Sequence, residues 1–213
     1  MEVFYQRTRM SEPSLGLERI GTTRHQIHKR ESDKMEPPDH YDPIYFLTMG
    51  RGISHCSRVS FVDWDAFTYY RGGVIPYTVY DGDYLFGLGK DRKTGELGDF
   101  GGWVKYKKRE KVVQCALREF SEETLGSFGY YSEVDVGFCP VLYNRKSAIL
   151  FLHLMFDPVC VSGVFDGLAR GDSEMSSIVW MRYNDIVDCL GNGSVYIPAG
   201  YLLEKIDRVV EIL

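Results

Sequence analysis

The stretch GGVIPYTVYDGDYLFGLGKD, residues 72–91, restricts the fold more than any other part of this chain. Two apolar runs flank Asp81-Gly82, a dipeptide suited to the positive φ of a tight turn, so the segment reads as a β-hairpin. Pro76 brings no amide donor to a ladder, which predicts a place near a strand end or at a sheet edge. Upstream, IYFLTMG (44–50) and SRVSFVDWDAFTYY (57–70) are rich in aromatic and β-branched residues and also read as strands. DRKTGELGD (91–99) reads as a loop.

A helix is expected from about Arg109 to Leu125. Val113, Ala116, Leu117 and Phe120 recur at three- and four-residue spacing, and Gly126 and Gly129 mark its end. DVGFCPVLY (135–143) and SAILFLHLMF (147–156) supply two further strands. A loop, SGVFDGLARGDSEMSS, leads to a strand at IVWMRY and a short helix at NDIVDCL. The chain closes with an amphipathic helix that has Pro198 at an early position and a stripe of Leu202, Leu203, Ile206, Val209 and Val210. Hairpin, helix, strands and terminal helix in this order predict an α+β fold, an α/β/α sandwich with a mixed sheet flanked by helices.

At 213 residues the chain suits one domain with a substantial core. Residues 1–43 are poor in apolar residues and cannot offset their ordering entropy by burial. They read as a flexible tail, or as a partner-binding arm, ahead of a single domain at 44–213. A net charge of −5 argues against nucleic-acid binding driven by bulk electrostatics. Five cysteines without a CxxC pair argue against zinc and a disulfide framework. The longest apolar run, residues 148–156, is too short to span a bilayer, and no secretory signal is visible. A soluble, intracellular, cytoplasmic protein is the expectation, with no membrane partner.

The predicted helix at 109–125 carries Glu119, Glu122 and Glu123 within an arc of about 100°, beside its apolar face. Two partly desolvated carboxylates about 6 Å apart repel by roughly 3 kcal/mol at an effective dielectric of 20. A divalent cation reverses the sign of that interaction, and magnesium, which takes oxygen ligands and bridges carboxylates to phosphates, is the natural candidate. The alternative is a solvated acidic surface. Arg118, four residues before Glu122, can pair with it.

The same residues resemble the Nudix box, G-x5-E-x7-R-E-U-x-E-E-x-G-U. Glu110, seven residues, then Arg118-Glu119-Phe120-Ser121-Glu122-Glu123 match its centre. Seven residues rather than five separate Gly102 from Glu110, and Thr124-Leu125 stand before Gly126 where one residue is expected. The order of elements over residues 70–213 also resembles the Nudix fold.

The resemblance implies hydrolysis of a nucleoside diphosphate linked to another moiety, with Mg2+ or Mn2+. It implies metal ligation by Glu119, Glu122, Glu123 and the Gly101 carbonyl. Glu110 and Gly102 would support the box, with Glu110 acting through Arg118. The general base would come from the box helix, as Glu122, or from a later loop, where Glu174 is the candidate with Asp172 behind it; otherwise that loop is simply acidic. Within the family, capped RNA is an alternative substrate, and a non-catalytic nucleotide-binding module is a second alternative.

Lys105, Lys107, Lys108, Arg109 and Lys111 form a basic run that reads either as a solvated loop or as a phosphate-facing one. Cations in a helix's first turn oppose its dipole. GLGKD (87–91) fails as a P-loop, because Asp91 follows Lys90 where Ser or Thr is needed. Lys90, Arg92 and Lys105 are candidate phosphate contacts. Tyr69, Tyr70, Tyr77 and Phe100 could stack on a base, although core packing is their commoner fate.

Overall fold

The computed structural model of the chain describes residues 53–66, 68–195 and 197–213. The tail read at 1–43 and the strand read at 44–50 lie outside the described residues. The strands are β1 (His55–Arg58), β2 (Arg71–Tyr80), β3 (Asp83–Asp91), β4 (Leu97–Gly98), β5 (Phe100–Trp103), β6 (Pro140–Tyr143), β7 (Ser147–His153) and β8 (Met175–Arg182). The helices are α1 (Val112–Glu123), α2 (Pro158–Leu168), α3 (Tyr183–Asn192), α4 (Ile197–Leu203) and α5 (Ile206–Val210).

All eight strands join one mixed sheet, in the order β1-β6-β7-β2-β3-β4, with β5 on β2 and β8 on β3. Strand β2 runs parallel to β7 and antiparallel to β3 and β5. Being central, it is buried over residues 71–78, as expected for a strand covered on both faces. The hairpin turns at Asp81 (φ 51°) and Gly82 (φ 82°), the two positive angles such a two-residue loop requires.

Pro76 is neither at an end nor on an edge strand. It sits mid-β2, where partner β5 stops at Val74 and partner β3 begins at Tyr77. The Tyr77 carbonyl accepts from Leu154 on the β7 side, so alternation aims the Pro76 nitrogen at this step between partners, where no ladder bond is lost.

Alternation along β7 divides the core into two layers. Ala148, Leu150 and Leu152 pack with Val112, Val113, Ala116 and Phe120 of α1 and with Val161 and Phe165 of α2. Ile149 and Phe151 pack with Ile186, Leu202, Leu203, Ile206 and Val209 of α3–α5. The result is an α/β/α sandwich of the α+β class.

Several elements differ from the sequence reading: the segment read as a loop at 91–99 contains the short β4, which pairs with β3. Among the described residues of 57–70, only the end of β1 and a 3-10 turn at Val59–Phe61 form. Strand β6 begins at Pro140 rather than 135. The segment read as a loop from 162 contains most of α2, whose N-terminus is set by Asp157, with its carboxylate accepting from the Val159 amide, and by Pro158. The terminal helix is broken into α4 and α5 at Glu204-Lys205. Among the described residues no helix is long and apolar enough to cross a membrane.

Candidate functional site

Helix α1 lies across β2 and β5, and its ends explain both irregularities of the box. The seven residues between Gly102 and Glu110 are taken up by a 3-10 turn at Tyr106–Lys108 and a left-handed Arg109 (φ 55°). The Glu110 carboxylate closes this turn, accepting from the Lys105 amide at 2.7 Å. Gln114 reaches back to accept from the Lys111 amide at 3.0 Å, satisfying a donor that the helix start leaves open. At the other end Gly126 N donates to Ser121 O and Leu125 N to Glu122 O, a Schellman closure. The extra residue therefore puts Leu125 (φ 56°) at the left-handed position that glycine usually takes. The helix starts at Val112, so the cations at 105–109 lie outside its first turn and do not oppose its dipole there.

Arg118 organises the acidic residues. Its Nε and Nη2 donate to the Glu110 carboxylate at 2.6 and 3.1 Å. Nη1 donates to Glu119 at 2.6 Å and Glu122 at 2.9 Å, and Nη2 also reaches the Trp103 carbonyl at 3.1 Å. Burial pushes the Glu110 carboxyl upward, but the Arg118 and Lys105 hydrogen bonds outweigh it and hold the group below the usual range. Burial dominates at Glu119, whose pKa is raised despite Arg118. Lys105 Nζ stands 3.8 Å from Glu122 Oε1, so one cation of the basic run does face the acidic group.

Glu119 rests directly on Gly102. A Cβ at Gly102 would lie 2.5 Å from its carboxylate, so a side chain there would displace Glu119 from its present position. Glu123 lies deeper. Its Oε2 is buried with no hydrogen-bond partner. Its pKa is pushed up to about 9, first by burial, then by Asp99, Glu119 and Glu174 against the attraction of Arg71.

Two of these neighbours escaped the sequence reading. Arg71 and Asp99 form a buried, two-pronged ion pair at 2.6 and 2.8 Å beneath α1. A Cβ at Gly73 would overlap the Asp99 carboxylate, so that glycine makes room for the pair. Arg71 also donates to the Gly101 carbonyl at 3.3 Å, so this proposed ligand faces a fixed positive charge. Both residues lie outside the box and 28 positions apart, and no spacing rule marks them.

Glu174 is exposed on the turn before β8, near enough to act on Glu123. Arg92 was expected at phosphate and instead holds this turn. It donates to the carbonyls of Ser173 (2.7 Å) and Met175 (3.1 Å), and its amide donates to Glu174 O. Lys90 is exposed on β3, where its carbonyl accepts from Ser176 Oγ. Tyr69, Tyr70, Tyr77 and Phe100 are 4, 4, 8 and 0% exposed and serve the core, not a base.

The donor set suits a hard cation: clustered carboxylates on one helix, one of them with an orphaned buried oxygen. It is not a preformed cage. Among the described residues no group of three or more His, Cys, Asp or Glu side chains is set to hold a metal ion, because Arg118 draws Glu119 and Glu122 to itself.

No family model and no curated protein matches the chain. Among solved structures, it is similar to the NUDIX domain of Shewanella oneidensis NrtR complexed with ADP ribose, at 14% identity and TM-score 0.42, covering 80% of this chain and 99% of that one. A C. elegans Ap4A hydrolase complex is similar at 16% identity and TM-score 0.41, covering 68% and 100%. A NUDIX hydrolase from Nitrosomonas europaea is similar at 18% identity and TM-score 0.33, covering 66% and 87%.

Proposed function

We propose that the chain is a magnesium-dependent Nudix-type pyrophosphohydrolase cleaving a nucleoside diphosphate linked to another moiety. The observation that carries this reading is the arrangement on α1. Arg118 anchors Glu110 and Glu119 and touches Glu122, while Glu123 keeps a buried oxygen without a partner. A structural acidic helix would expose its carboxylates rather than hold Glu119 against Gly102 and bury an oxygen of Glu123 without a partner. Glu119, Glu122 and Glu123 would hold Mg2+ or Mn2+, which supplies charge neutralisation at the diphosphate and a more acidic water.

This chain's residues do the rest. Arg118 orients Glu119 and Glu122 through bonds of 2.6 and 2.9 Å and is a positioning residue rather than a substrate contact. Lys105, close to Glu122, offers a charge to phosphate oxygens. Glu174, on a turn gripped by Arg92, takes the proton of the attacking water.

Glu119→Gln and Glu122→Gln test the reading. Each should lower metal-dependent phosphoanhydride hydrolysis at least a hundredfold with the fold unchanged by circular dichroism. Full activity in both variants would reject it.

A further inference from the structure

Beyond the carboxylates, a groove of about 520 Å³ runs between the outer face of α1 and residues 130–133. Arg118 and Glu122 form one end, so the groove opens from the site itself. Leu117 and Ser121 line its α1 wall, and Tyr130 and Tyr131 face them. The far end is closed by a polar clamp. Gln114, its oxygen fixed by the Lys111 amide, donates from Nε2 to Glu133 Oε1 at 2.7 Å.

From this geometry we infer that the groove binds the nucleobase of the substrate and selects guanine, a proposal that rests on the function proposed above. Gln114 and Glu122 are eight residues apart on one helix, about 12 Å along its axis, the reach of an extended nucleotide from its phosphates to its base edge. The volume falls within the range of small-ligand sites. Tyr130 is 86% exposed, a large aromatic with a free face, while Tyr131 packs on Phe120 and is held in place. Such rings stack on bases.

Charge sets the direction of binding. The carboxylate of Glu133 repels phosphate, whereas Lys105, 3.8 Å from Glu122, and the cation that the proposed function places on the α1 carboxylates attract it, so the neutral base belongs at the Glu133 end. Glu133 Oε1 accepts one bond from Gln114, and the carboxylate keeps further lone pairs on both oxygens as acceptors. Guanine presents two adjacent N–H donors on its pairing edge. Adenine presents one donor beside an acceptor, which a carboxylate rejects.

The test is calorimetric binding of GDP, ADP and UDP to the full chain in saturating magnesium. GDP should bind about tenfold more tightly than the other two, the discrimination of one good paired contact. Glu133→Gln should remove that preference, and Tyr130→Ala should weaken all three about tenfold. Both side chains are exposed, so the melting temperature should not move. Equal affinities in the unaltered protein, or a GDP preference that survives Glu133→Gln, would overturn the proposal. Turnover without base preference would remove this inference alone. Base preference without turnover of any diphosphate would leave the groove standing and remove the hydrolase.

Discussion

Replacing Glu123 with Gln should make the metal-free protein more stable and the magnesium-loaded protein less so. An unfolded glutamate titrates near 4.5, whereas burial, Asp99, Glu119 and Glu174 push the folded group up to about 9. Between those values the folded chain holds a proton that the unfolded chain has released, so stability falls as pH rises through this window. Glutamine cannot ionise and lacks that slope. At about 1.36 kcal/mol per pKa unit, the difference at pH 8 has a ceiling of about 5 kcal/mol. Rotation of the side chain towards water recovers part of it, leaving about 2–3 kcal/mol in favour of Glu123→Gln. At pH 4 the Glu123 carboxyl is protonated in the fold and mostly protonated in the unfolded chain, and the two proteins should be nearly equally stable. Saturating magnesium should stabilise the unaltered protein by mass action and the variant far less, reversing their order at pH 8. Urea unfolding at pH 4, 6 and 8, in chelator and in magnesium, measures every part of this. Parallel pH profiles in chelator, or equal stabilisation of both proteins by magnesium, would refute the reasoning.

Other perturbations have equally definite outcomes. Arg118→Ala strips partners from Glu110 and Glu119, whose side chains are 11 and 15% exposed, and should cost about 2–4 kcal/mol in urea unfolding at pH 7. Because Glu110 titrates below its ordinary value in the fold, its share of that loss is present above about pH 4.5 and vanishes as pH falls through the folded value. Leu125→Gly relieves a left-handed leucine and should raise stability by about 0.5–1 kcal/mol, read as a higher melting temperature. Arg92→Ala loosens the turn bearing Glu174 and should lower kcat about tenfold with KM little changed; a rise in KM alone would return Arg92 to the phosphate-binding role.

The parts of the fold legible in the sequence are those with a strong local period or a stereochemical marker. Asp81-Gly82 dictates the hairpin, and the spacing of Val113, Ala116, Leu117 and Phe120 dictates α1. Helix α2 was hidden because Gly163 and Gly167 suggest a loop, although Asp157-Pro158 is a helix-start signal in plain view. Pro76 misled because its tolerance depends on where β5 ends and β3 begins, a property of the sheet and not of the strand. The site divides the same way. Arg118 and Glu122 stand four residues apart on one helix, so their pairing was readable, whereas Glu110 precedes the helix and its link to Arg118 followed only from the resemblance. Arg71 and Asp99 meet only after β2 and β4–β5 assemble. The clamp on the Glu174 turn joins Arg92 to carbonyls 81 and 83 residues away, and backbone acceptors leave no trace in a sequence.

The carboxylates of α1 are proposed to serve metal-dependent cleavage of a diphosphate. One screen tests it most directly: sugar nucleotides, dinucleoside polyphosphates, NADH, damaged dNTPs and capped RNA, each with magnesium, manganese or chelator, and with Glu122→Gln as the blank. At least one substrate should be hydrolysed in a reaction that requires the metal and is lost in the blank. No turnover of any substrate, or turnover that persists in chelator or in Glu122→Gln, would contradict it.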